Sequence, residues 1–187
     1  MFIQTEQTPN PATLKFLPGK PVLGDSTANF ANAEQAAVSP LASRLFEIDG
    51  VEGVFFGTDF ISVTKGDADW AELKPQILGT IMEHYTAGAP IMDDAVAEAG
   101  GAEDGFRDSE EDAEIIGQIK EILDSRVRPA VARDGGDIAY HGFDKGVVYL
   151  RMQGACAGCP SSVATLKGGI ENLLRHYVPE VTEVRAV

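Results

Sequence analysis

Only two cysteines occur among the 187 residues, Cys156 and Cys159. That count, in a chain without an export signal, excludes a disulfide framework and leaves both thiols free as ligands or redox groups. No apolar run reaches the roughly 18 residues needed to span a bilayer, so no membrane-spanning helix is expected. There is no basic stripe either: Lys and Arg total 15 against 29 Asp and Glu, a formal net charge of −14. Nucleic acid is therefore excluded as a partner. The opening MFIQTEQTPNPATLKF lacks a basic n-region, an apolar h-region and the Arg-rich character of a transit peptide. The expectation is a cytoplasmic, bacterial protein, placed ahead of the mature form of a mitochondrial matrix protein.

What is present points to packed structure. Hydrophobic residues make up 44%, which excludes a wholly disordered chain. The acidity is uneven. Residues 1–92 hold 11 acids and 5 bases, residues 93–112 hold 9 acids and 1 base, and residues 113–187 hold 9 of each. The Ala/Gly/Asp/Glu-rich stretch has the composition of a self-repelling linker. The chain accordingly divides into a domain at 1–88, an acidic linker at 89–112 and a second domain at 113–187.

Both domains read as small and α+β. In the first, Phe2–Gln4 and Leu14–Leu17 look like strands around the Thr8-Pro9-Asn10-Pro11 turn. Ser39-Pro40 starts a helix, with Leu41, Leu45 and Ile48 on one face. Val54–Phe56 and Phe60–Val63 form a hairpin. A second helix runs from about Asp69 with Trp70, Leu73, Ile77 and Ile81 inward, and Pro75 makes it begin later or bend. In the second domain a helix with Ile115, Ile116, Ile119, Ile122 and Leu123 should end before Pro129. Asp134-Gly135-Gly136-Asp137 is a turn. Strands at Ile138–Gly142 and Val147–Gln153 follow, then a helix from about Ser161 and a last strand near Val181–Val184. The order is α-β-β-α-β.

The chemistry concentrates at Gly154-Ala155-Cys156-Ala157-Gly158-Cys159-Pro160, between a strand and a helix. The positive end of the helix would stabilise thiolates there, so both cysteine pKa values are expected to fall. Spacing alone leaves open a cluster or metal site, a thioredoxin-like dithiol oxidoreductase, and inert thiols. The Ala-Gly pair between the cysteines, and a hairpin where thioredoxin has a βαβ unit, weigh against redox. A 4Fe–4S cluster or a structural zinc site takes four ligands, and this chain has two. A second copy related by a two-fold axis closes that deficit most simply. His84, His141 and His176 are isolated from the cysteines in sequence and read as packed or solvated imidazoles.

The run from Arg128 to Ile138, RPAVARDGGDI, followed by Gln153 to Ser162, QGACAGCPSS, closely resembles the Nfu domain, the NifU C-terminal domain of iron–sulfur cluster carriers. The opening Thr8 to Phe16, TPNPATLKF, resembles the Nfu N-terminal domain. The resemblance implies a non-enzymatic scaffold or carrier that binds one 4Fe–4S cluster per homodimer and delivers it to apo iron–sulfur proteins. It places the two motif cysteines at Cys156 and Cys159, and it assigns client recognition to the N-terminal domain and the supply of clusters to upstream assembly proteins.

Overall fold

A computed structural model describes residues 1–93, 108–157 and 160–187, and of residues 160–162 the backbone alone. The chain divides into two compact units, Met1–Gly101 and Ala102–Val187. Each is α+β, as expected. Residues 94–107, most of the acidic stretch, lie outside the described residues.

The first unit is a five-stranded antiparallel sheet. Its strands are β1 (Gln4–Gln7), β2 (Thr13–Leu17), β3 (Ala28–Phe30), β4 (Val51–Phe56) and β5 (Ile61–Lys65), in the order β1-β2-β5-β4-β3. Its helices are α1 (Ala33–Ala36), α2 (Pro40–Phe46) and α3 (Trp70–Ala87). The start of α2 follows from its sequence: Ser39 Oγ accepts from Ala42 N at 3.1 Å, and Pro40 fills a position that needs no donor. Phe16, Phe56, Ile61, Leu41, Leu45, Leu73, Ile77 and Ile81 are fully buried between sheet and helices. α3 begins at Trp70, with Asp69 as its cap, as expected, and it runs through Pro75 without the later start that was one of the two alternatives. The donor that Pro75 lacks would have met the carbonyl of exposed Ala71, which water can satisfy.

The expected linker does not leave this unit at residue 89. Ser39 Oγ donates to Ile91 O, Asp93 N donates to Val38 O at 2.9 Å, and Ile91 and Met92 pack on the core. At its other end Asp108 Oδ1 accepts from Tyr140 Oη at 2.9 Å and from Phe143 N at 3.2 Å, which fastens that residue to the second unit.

The second unit has the order α-β-β-α-β. α4 (Ala113–Ile122) passes through a wide π-type turn (Leu123–Val127) into α5 (Arg128–Arg133). β6 (Gly136–Asp144), β7 (Val147–Gly154), α6 (Pro160–Tyr177) and β8 (Glu183–Ala186) follow. The helix therefore continues past Pro129, contrary to expectation, because Pro129 lies in the first turn of α5. The wide turn has a packing cause. Ile116, Ile119, Leu123, Val127 and Val131 are all buried in one core. At about 100° per residue an unbroken α-helix would carry Val131 about 60° off the line of Ile116. A turn with more residues takes up that drift.

β6 and β7 are antiparallel, and β8 lies parallel to β7 in the order β6-β7-β8. β7–α6–β8 is thus a parallel crossover, so the absence of a βαβ unit no longer distinguishes this domain from thioredoxin.

Candidate metal centre

β7 ends at Gly154, whose φ of +64° turns the chain into the cysteine loop. Two backbone bonds fix the loop's first part. Ala155 N donates to Gly135 O at 3.2 Å, and Ala157 N donates to Gly154 O at 3.1 Å. Gly136 pairs with Gly154 across the ladder, so the start of β6 lies directly against the end of β7. Asp134-Gly135-Gly136-Asp137 is consequently more than a turn: its last two residues open β6.

Cys156 is 5% exposed and belongs to the core of this unit. A Cβ on Gly136 would lie 2.5 Å from Cys156 Sγ, 2.7 Å from Gln153 O and 3.0 Å from Cys156 N. No side chain fits there. Beside it, the carboxylate of buried Asp137 accepts Arg128 Nε on Oδ1 and Arg128 Nη2 on Oδ2, each at 2.9 Å, and Ile138 N on Oδ1 at 2.8 Å. Arg128 Nη1 also donates to Asp124 Oδ1 at 3.1 Å. The bidentate fork holds the guanidinium firmly protonated, and it joins α5 to the first residues of β6.

Burial pushes the Cys156 thiol up to about 12, and the carboxylates of Asp134 and Asp137 add to the effect. This reverses the expected fall. The field at a helix start lowers the pKa of a thiol that faces it. Here the sulfur lies inward against Gly136, where lost solvation and like charge decide the outcome. A buried thiol held protonated at neutral pH is a poor attacking group in thiol–disulfide exchange.

Cys159, the second expected ligand, lies outside the described residues. The histidines stay apart from Cys156 in role. His84 is buried in the first unit with Nε2 3.0 Å from Pro90 O, and burial lowers its pKa. His141 is half-buried on β6, and His176 is exposed on α6 with its ring against Tyr177. Among the described residues no group of three or more His, Cys, Asp and Glu side chains is placed to hold a metal ion. Among them also, no helix is long and apolar enough to cross a membrane. A soft thiolate from each of two cysteines fits iron or zinc and supplies half of a four-ligand set.

The sequence reads Asp134-Gly135-Gly136-Asp137 as a turn only and gives Arg128 no place at the site. A signal was available. Two consecutive glycines opposite Gly154, with an arginine nine residues before an acid, mark a close approach and a pair that spans two elements.

A two-unit α+β chain with a cysteine loop between strand and helix belongs among proteins that work through thiols, as metal or cluster ligands or in dithiol exchange. The description "Scaffold protein Nfu/NifU N terminal" matches residues 3–88, and "NifU-like domain" matches residues 119–185. The human "NFU1 iron-sulfur cluster scaffold homolog, mitochondrial" is 52% identical over 191 residues, covering 100% of this chain and 72% of that protein. The Arabidopsis thaliana "NifU-like protein 4, mitochondrial" is 54% identical over 187 residues, covering 98% of this chain and 65% of that protein. A solution structure of a NifU-like protein from Saccharomyces cerevisiae is 26% identical, covers 50% of this chain and 86% of its own, and gives a TM-score of 0.46. The chain belongs to the Nfu/NifU family of iron–sulfur cluster scaffold proteins. It spans about two-thirds to three-quarters of the length of these curated relatives.

The expectation of a bacterial cytoplasmic protein is corrected by the same names, since the human, Arabidopsis and Drosophila relatives are each called mitochondrial.

Proposed function

We propose that two copies of this chain hold one 4Fe–4S cluster between them on Cys156 and Cys159 of each, and pass it to apo iron–sulfur proteins. The observation that carries this reading is Cys156 at the end of β7, one of only two cysteines in a chain of a cluster-scaffold family. Each copy then offers half of the four thiolates that a cubane takes. The protein forms no covalent bond of its own in the transfer. Its thiolates are replaced one at a time by those of the recipient. In this reading 113–187 binds the cluster, 1–88 recognises clients and 89–112 joins them. Upstream assembly proteins supply the cargo, and the setting is mitochondrial, as in the named relatives.

The test is anaerobic reconstitution of the full chain with ferrous iron and sulfide, followed by iron, sulfide and mass analysis on one sample. About four irons per two chains and a brown dimer are expected. Cys156→Ser and Cys159→Ser should each abolish the colour and leave the far-UV circular dichroism unchanged. A monomer with the full complement of iron and sulfide, or a chain that stays colourless, would refute the reading. Zinc in place of iron after anaerobic purification would move the site to a zinc module.

A further inference from the structure

We propose that Gly136 is a positioning residue: by having no side chain it gives the Cys156 thiol a seat inside the C-terminal unit, so that the cluster-free chain keeps this sulfur covered. The seat is built from both sides. Gly136 Cα lies where any added carbon would meet Sγ at 2.5 Å, and the same carbon would strike Gln153 O and Cys156 N. The loop is held down by Ala155 N on Gly135 O and Ala157 N on Gly154 O. Cys156 belongs to the same buried core as Val131, Ile138, Leu150 and Ile170, with the carboxylates of Asp134 and Asp137 near enough to act on its thiol. The start of β6 is itself anchored through Asp137 to Arg128 on α5.

A sulfur in this seat is shielded from oxidants and stray metals, which attack accessible thiolates. If the cluster is shared between copies, Cys156 must leave the seat by a side-chain rotation or a loop shift, losing its proton to water as the sulfur–iron bond forms. That last step rests on the proposed function; the seat does not.

The experiment uses the full-length Cys159→Ser chain, free of metal, so that Cys156 is the only thiol. Its rate of reaction with Ellman's reagent at a fixed pH is compared in buffer and in urea. The covered thiol should react about tenfold or more slower in buffer than in urea. Adding Gly136→Ala should raise the rate in buffer severalfold or more, toward the urea value. Gly117→Ala, on a helix where an added carbon meets nothing within 4 Å, should leave it unchanged. Far-UV circular dichroism reports whether each variant is folded. If Gly136→Ala does not fold, the urea dependence in the parent decides: modification that rises only as the unit unfolds supports the seat. Equal rates in buffer and urea, or a folded Gly136→Ala chain as slow as its parent, would overturn the proposal. Failure to take up iron and sulfide would sink the cluster reading while leaving this result standing.

Discussion

Breaking the Arg128–Asp137 fork should loosen the C-terminal unit and leave the N-terminal unit untouched. The carboxylate side chain is 7% exposed and the guanidinium side chain 37%. Removing one partner of a fully buried pair costs about 3–5 kcal/mol, because a charge is left without its counterion. Water can reach this arginine's site, and Ile138 N stays on Asp137 Oδ1, so we expect about 2–3 kcal/mol for Arg128→Met. For a unit of this size that is a fall in Tm of about 10–20 °C. Asp137→Asn, which keeps an acceptor for Ile138 N, should cost about 1–2 kcal/mol. The double variant should lose less than the two singles together, by about 1–2 kcal/mol. Far-UV circular dichroism follows both units on heating. Trp70 is the only tryptophan and lies on α3, so its fluorescence follows the first unit alone. A far-UV transition for Arg128→Met within about 0.5 kcal/mol of the parent would make the fork an ordinary surface pair and refute the reasoning. So would an equal shift in the Trp70 transition.

The Cys156 thiol is raised from 9.0 to about 12 in the folded chain, so its contribution to stability is full below pH 9 and drains away between pH 9 and pH 12. Urea unfolding of the cluster-free chain should weaken over that range by up to about 4 kcal/mol more than that of Cys156→Ala. His84 behaves in the opposite sense: burial lowers its pKa below 6.5, so stability is full above that pH and is lost as pH falls through the folded value. The Trp70 transition should therefore drop as pH falls from 7 toward 5, and His84→Gln should flatten that dependence. Gly88 closes α3 with φ +67° and its N–H on the carbonyls of His84 and Tyr85. Gly88→Ala should lower stability by about 1 kcal/mol, whereas Gly79→Ala, in open space in the same helix, should raise it by about 0.5–1 kcal/mol, both read from Trp70 in urea.

The fold was legible wherever its signals were local. Ser39-Pro40 marked a helix start to the residue, and Leu73, Ile77 and Ile81 marked its partner's buried face. The hairpins around Gly57 and Gly146 followed from turn residues between alternating strands. What escaped was short or set from a distance. β3 has three residues and α1 four, too few to show a period. The wide turn before Pro129 answers to five core positions over four helical turns, which no short window contains. The site divides in the same way. The position of Cys156 between strand and helix could be read directly, but the direction of its sulfur could not. That direction depends on the bare backbone of Gly136, twenty residues earlier, while the carboxylates of Asp134 and Asp137 bear on the thiol's pKa.

Asp108 has one more consequence. β6 is the outermost strand of its sheet, and an open margin of this kind invites a further strand from any neighbouring molecule. The Asp108 carboxylate occupies the outward donor of Phe143 and sets a negative charge at that margin. Asp108 thus meets an incoming strand with an occupied donor and a charge, and light scattering of Asp108→Ala at high concentration should rise above that of the parent if this margin pairs once it is bared.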